Sequence, residues 1–343
     1  MIHRLSRFQI SLIAFALTAA AHADPLAELQ AFSSFKTVNL DKLASGTVQA
    51  TRGPAMSFPR GLAVESCYVV RKPLAKTVAF HQQWSPARHS DLKVWLHTDL
   101  TPRAGIAEFQ KLRSAPANSA VRAFVAATQK LGAGPGDLQL SKAEANAFES
   151  TPGSDAGAMP AKVADFWSGI LSQRAQAFVS GGPSRQPAYE NANGTIRVAD
   201  DISRLLKESG KMRGQFSAVL DGAGLSGGKG ALTPSLYWEL VGVEDDAALN
   251  LGASYSKAGP NTWQGVEAQY YATSGYCAFI TLTQMWPITI GGQEMTLVWQ
   301  GDLISSNELA SLHGVERMGS STAMMRETQK FIGRFAADAN KAP

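Results

Sequence analysis

A chain of 343 residues with 45% hydrophobic and 17% charged side chains carries enough apolar material for a substantial core, which excludes a disordered polymer. Its formal net charge of +4 includes Arg4 and Arg7 of a leader, without which 30 basic residues stand against 28 acidic ones. A balance so close to neutral gives no bulk attraction to nucleic acid or to an anionic membrane surface.

The leader has three parts in order. Arg4 and Arg7 make a positive start, Ile10 to Ala21 is apolar except for Ser11 and Thr18, and Ala21-His22-Ala23 has small residues at both positions that a signal peptidase reads. The apolar run is shorter than the ~20 residues that a membrane span needs. The expectation is a cleavable signal peptide over residues 1–23 and a mature chain of 320 residues, periplasmic or secreted. No cysteine follows the cleavage site for lipid attachment, and no later segment reads as a transmembrane span. The absence of a twin-arginine pair implies export of an unfolded chain, so no cofactor is expected.

Pro25 to Phe32 reads as a short helix, followed by a polar stretch containing Gly46, Gly53 and Pro54. Leu62, Val64, Tyr68, Val69 and Val70 make 61–70 a strand that Lys72-Pro73 ends. Leu74 to Trp84 reads as a helix and Leu92 to Leu96 as a second strand. Thr101-Pro102 opens another helix, with Ile106, Phe109 and Leu112 at a spacing of three.

The middle third, about 101–220, reads as a helical insert. Its helices are 119–131, a short one headed by the capping box Ser141-Lys142-Ala143-Glu144, 161–179, and one from Asp200 or Asp201 to about Leu220. Stretches at 150–160, 181–195 and 221–234 read as loops. Gly222 to Gly230 fails the phosphate-loop spacing, because Gly230 and not Ser or Thr follows Lys229.

From about 235 the period changes to two. Leu236, Trp238 and Leu240 alternate with Tyr237, Glu239 and Val241, and four further strand-like runs follow. The last two, 288–290 and 295–299, meet at Gly291-Gly292, a pair suited to a type I′ turn. Ser305-Ser306-Asn307-Glu308 caps a short helix that Gly314 stops. Met324, Met325, Thr328, Phe331, Ile332 and Phe335 then lie along one face of a final helix.

The fold class is therefore α+β: a single unit over 24–343, with an antiparallel β-meander of about five C-terminal strands and one or two early strands. Middle helices and a C-terminal amphipathic helix cover it. Over about 236–338 this order of elements is similar to the helix-grip architecture of START-like lipid-binding domains, where a curved sheet closes on a C-terminal helix around an apolar cavity. The resemblance lies in element order and implies that Met285, Trp286, Trp299, Met324 and Met325 line such a cavity. The other reading of these side chains is a solid core.

Three histidines, His81, His89 and His97, fall at intervals of eight. Zinc sites on helices use spacings of three or four, so these remain weak metal or hydrolase candidates and each suits a structural role. Cys67 and Cys277 lie in strand-like segments of an exported chain. They are read either as a disulfide or as two buried thiols. Asn193-Gly194-Thr195 matches a glycosylation sequon. Function is left with three readings: a non-enzymatic protein binding an apolar small molecule or lipid, an envelope interaction protein with a packed core, and, third, a hydrolase at the histidines.

Overall fold

The computed structural model describes residues 24–131, 136, 138–148, 158–191, 194–243 and 245–342. The expected signal peptide, Asn193 of the sequon and most of the loop at 150–160 lie outside the described residues.

Alternation builds the sheet. In β6 (Ser235–Val243), Leu236, Trp238 and Leu240 point one way into the main core while Tyr237 and Glu239 point the other. β7 (Asp246–Ala258), β8 (Trp263–Ala272), β9 (Ala278–Ile290) and β10 (Gln293–Ser305) continue the meander, each antiparallel to the last. Gly291 and Gly292 make the last hairpin with φ of 57° and 79°, as a primed turn requires. Three earlier strands complete an eight-stranded sheet: β1 (Gln49–Arg52), β2 (Gly61–Val70) and β3 (Val94–Leu100). Its order is β1-β2-β10-β9-β8-β7-β6-β3, so the early strands bracket the meander and segment 71–93 crosses the sheet between them. The protein is α+β, 44% helical and 28% strand. Sequence reading missed β1, which is polar, and the small separate hairpin of β4 (Tyr189–Asn191) and β5 (Gly194–Ile196).

Helices pack both faces. The inner face carries α1 (Pro25–Phe32), α2 (Leu40–Ala44), α4 (Ser119–Gln129), α5 (Lys142–Asn146) and α6 (Ala161–Gly181), where α3 (Leu74–His81) belongs to the other side. The expected helix from 200 to 220 is three: α7 (Val198–Glu208), α8 (Gly210–Gln215) and α9 (Ser217–Gly222). The first break comes at Ser209-Gly210, where glycine is a poor helix former. Asp201 does not cap α7. It lies inside it, 1% exposed, and takes the Arg60 guanidinium at 2.5 Å. Residues 106–114 form a 3₁₀ helix, whose three-residue turn accounts for the spacing of Phe109 and Leu112, while Ile106 points to solvent.

The chain ends in α10 (Asn307–Ser311) and α11 (Gly314–Lys341). The final helix thus starts ten residues before Met324, and Gly314, at φ 51°, turns the chain into it. The outer face of the sheet receives α3 and α11, through a small core of Tyr68, Val70, Trp263, Met285, Val298, Ile332, Phe335 and Ala339. Trp84 closes this layer edge-on against Phe331 and Phe335, at centroid separations of 5.0 and 5.4 Å.

Cys67 and Cys277 are both buried free thiols, which corrects the disulfide reading. Cys67 pairs with Trp299 on β10, whereas the Cys277 amide bonds the Ser305 carbonyl six residues further along that strand. Six residues of strand are ~20 Å, well beyond the ~7 Å between Cα atoms that a disulfide spans. Burial pushes both thiols up to about 12. No helix among the described residues is long and apolar enough to cross a membrane.

Candidate functional site

The meander exposes a polar outer face where α11 does not reach. Register fixes its layout. Glu267 of β8 pairs with Thr281 of β9, and Thr281 with Asp302 of β10. The two carboxylates therefore stand in one row, two strands or ~10 Å apart. Tyr237 pairs with Gly252 of β7, and Gly252 with Gln269 of β8, in the next row. Glu239 pairs with Asn250 one step further on, and His97 of β3 with Glu239. Glu267, Gln269, Phe279, Thr281, Gln300 and Ile304 are half-buried, so this face is a trough open on one side.

Hydrogen bonds hold the carboxylates in place. Tyr237 donates its hydroxyl to Glu267, and Tyr276 donates to Gln269. Asp302 accepts from Thr281 at 2.8 Å, from Gln300 at 3.0 Å and from Thr328 of α11 at 3.2 Å. No lysine or arginine among the described residues bonds either carboxyl group. Burial pushes Asp302 up to about 6 against the pull of those three donors. Burial also raises Glu267, helped by the charges of Glu239 and Asp302.

His97 sits at the end of this network. Its Nδ1 is 2.9 Å from Glu239 Oε1, its Nε2 is 3.4 Å from Asp99 Oδ1, and its ring stacks on Tyr237 at 5.5 Å. Burial alone would lower its pKa, but the hydrogen bonds and charges of Glu239 and Asp99 raise it. With both ring nitrogens held by carboxylates, this imidazole has no lone pair free for a nucleophile.

The other histidines are elsewhere. His81 packs edge-on against Trp263 at 5.2 Å and Phe335 at 5.6 Å, and burial drives it down to about 4. His89 Nε2 meets Asp338 Oδ2 at 2.7 Å, and the Trp84 indole donates to the same oxygen at 2.9 Å. The fold does not bring the three together. Among the described residues no group of three or more His, Cys, Asp or Glu side chains is placed to hold a metal ion.

The five residues expected around an apolar cavity divide between two faces. Met285 belongs to the outer core under α11. Trp286 and Trp299 belong to the inner core, where Phe32 packs on both and Phe216 on Trp299. Their indoles donate to Glu28 at 2.9 Å and Glu65 at 3.1 Å. Met324 and Met325 are half-buried on α11. Asp302 is 2% exposed. Arg317 holds the carbonyls of Pro59, Leu309 and Gly61.

Two solvent-open clefts lie at the far edge of the sheet. One, of about 610 Å³, runs between α2 and β1. The other, of about 640 Å³, lies beside Glu65, Ser209 and Lys211. Neither brings a nucleophile to a base.

Sequence reading missed Glu239, Glu267, Gln269 and Asn250. The available signal was an acidic or amide side chain at the polar phase of strands whose other phase is fully apolar. Comparison with known protein families, with curated proteins and with solved structures finds no match.

Proposed function

We propose that the protein is an exported, non-catalytic binding protein whose recognition surface is the half-open outer face of the sheet at Glu267 and Asp302, beside α11. One observation carries this reading: two carboxylates share a row of a trough, both pushed up by burial and bonded by hydroxyls and side-chain amides. Groups perturbed in this way cluster at functional sites. The Arg4-Arg7 start, the apolar run and Ala21-His22-Ala23 support export.

The ligand of this reading is polar at one end. Phe279, Ile304, Met324 and Met325, all half-buried, supply an apolar border to it. The packing around Met285, Trp286 and Trp299 weighs against a closed lipid cavity.

The test is native mass spectrometry and NMR on mature protein purified from its own envelope. The expected result is an N-terminus at Asp24 and a co-purifying small molecule whose removal shifts the Gln269, Thr281 and Gln300 resonances. A clean apo mass together with no shift on adding envelope extract overturns the binding reading. An N-terminus at Met1 in the purified pool overturns export.

A second reading, an interaction protein with a packed core, is favoured by Val315 and Met318, 83% and 51% exposed on the first turns of α11. Val315→Ser/Met318→Ser would then abolish partner capture while leaving the outer-face resonances unmoved.

A further inference from the structure

Strand β1 ends the sheet with one side unpaired. The phase of its hydrogen bonds is fixed by the Gly53 N–H, which donates to the Ala63 carbonyl at 2.9 Å and makes residues 53 and 63 a hydrogen-bonded pair. Counting back along the register, Thr51 with Glu65 and Gln49 with Cys67 are bonded pairs as well. The N–H and C=O groups of Ala50 and Arg52 therefore point away from β2, toward the open edge. Among the described residues these groups make no hydrogen bond, whereas the Val48 carbonyl, two residues before, takes the Gln329 amide of α11 at 3.1 Å. A row of unmade main-chain groups is a template for one more strand.

Both open clefts lie along this edge. The one of about 610 Å³ reaches Val48 and Gln49, and the one of about 640 Å³ reaches Thr51 and Arg52. Segment 32–43 supplies their opposite wall, held to β1 by the Gln49 amide on the Thr37 carbonyl at 3.0 Å. Four cations line the clefts, Lys36, Lys42, Arg52 and Lys211, and among the described residues none of them is in an ion pair. Two carboxylates line the second cleft, and both are already taken. Glu65 accepts from the Ser34 N–H and the Trp299 indole, and Glu208 from the Ser57 hydroxyl and the Phe58 N–H. A short strand with a charge on it is also how a sheet blunts its edge. Here four like charges repel a basic strand and attract an acidic one.

We propose that β1 is a docking edge for an extended acidic peptide segment of another protein. The segment adds to the sheet as a ninth strand. Its backbone pairs with the N–H and C=O groups of Ala50 and Arg52, and its acidic side chains reach the cations of the two clefts. A segment of six residues spans ~20 Å, longer than the four residues of β1. This edge is separate from the outer face at Glu267 and Asp302, and neither site depends on the other.

The experiment is calorimetric and NMR titration of the purified protein at pH 7.5 and low salt with a capped hexapeptide, Glu-Val-Glu-Val-Glu-Val. The expected result is binding that weakens with added salt and slows hydrogen exchange of the Ala50 and Arg52 amides. It falls at least tenfold with one of the two peptides N-methylated at alternate residues, which keep the charge and lose strand donors. It falls as far in Lys36→Glu/Lys42→Glu and in Ala50→Pro, whose lost N–H lies outside the β1–β2 ladder. It is unchanged in Lys257→Glu, exposed at the end of β7. Thermal melts confirm that each variant folds, and should Ala50→Pro fail to, the N-methylated peptides read the same backbone contacts on the wild type. No binding overturns the proposal. Equal binding of both N-methylated peptides overturns it too, because charge alone then suffices. Sedimentation showing a dimer without peptide that Ala50→Pro abolishes also overturns it, because a second copy of this chain then takes the edge.

Discussion

The Tyr237 ring lies across the backbone of Gly252 and delivers its hydroxyl to Glu267 on the strand beyond. A methyl group at position 252 would overlap that ring. Trp299 also covers a glycine, Gly301, but one two residues on along its own strand. A glycine under an aromatic ring lets one side chain reach across an intervening strand, which is how a residue on β6 sets the environment of a carboxylate on β8.

Gly252→Ala is therefore expected to cost about 1–3 kcal/mol, as overpacking does, and to release Glu267 from its hydroxyl. In a Tyr237→Ala background the same change is expected to cost less than about 0.5 kcal/mol, because the ring it strikes is gone. Urea denaturation of the four proteins checks this. Additive costs would mean that the ring does not rest on Gly252.

Asp302 gives a pH dependence with a defined sign. Its folded pKa is raised to about 6 from an ordinary 3.8, so the protonated form is favoured in the fold. Stability from this group is greatest below pH ~4 and is lost as pH rises through about 6, by on the order of 3 kcal/mol at pH 7. The groups facing it are Glu267, Thr281, Gln300, Thr328 and Tyr68. Asp302→Asn is expected to melt higher than wild type at pH 7.5 and equally at pH 4. Parallel melting curves at all pH values would contradict this.

His97 titrates in the same sense, at higher pH. Its folded pKa is raised, so its pairing with Glu239 and Asp99 contributes fully below the ordinary imidazole value of ~6.5 and is lost as pH rises through the folded pKa. The Tyr237 ring and Lys111, which bonds the His97 carbonyl, are its other neighbours. His97→Gln is expected to lower stability below pH ~6.5, where the pairing contributes fully, and to leave it unchanged above the folded pKa. NMR titration of the His97 ring protons reads the same shift directly, and a pKa below the ordinary value would refute the assignment.

The two thiols supply a redox prediction. With burial holding both at about 12, neither is expected to react with a thiol reagent in the native protein, and two thiols per chain are expected to react after denaturation. A reducing agent should leave the melting temperature unchanged. Fewer than two thiols in the denatured, unreduced protein would show a bridge.

Sequence alone determined what depends on neighbours along the chain. The period of two in 236–299, the Gly291-Gly292 hairpin and the Ser141 capping box are local, and each stands where it was read. The mixed fold class follows from such elements taken in order. What the sequence left open depends on contacts between distant strands. Whether Cys67 meets Cys277, whether three histidines share a site and whether Trp286 and Met285 face one cavity are set by strand order and register. A shift of one residue exchanges the two faces of a strand, so adjacent residues 285 and 286 end in different cores. The carboxylate pair is a product of the same register: Glu267 and Asp302 are 35 residues apart in sequence and share a row only when β8, β9 and β10 are laid side by side.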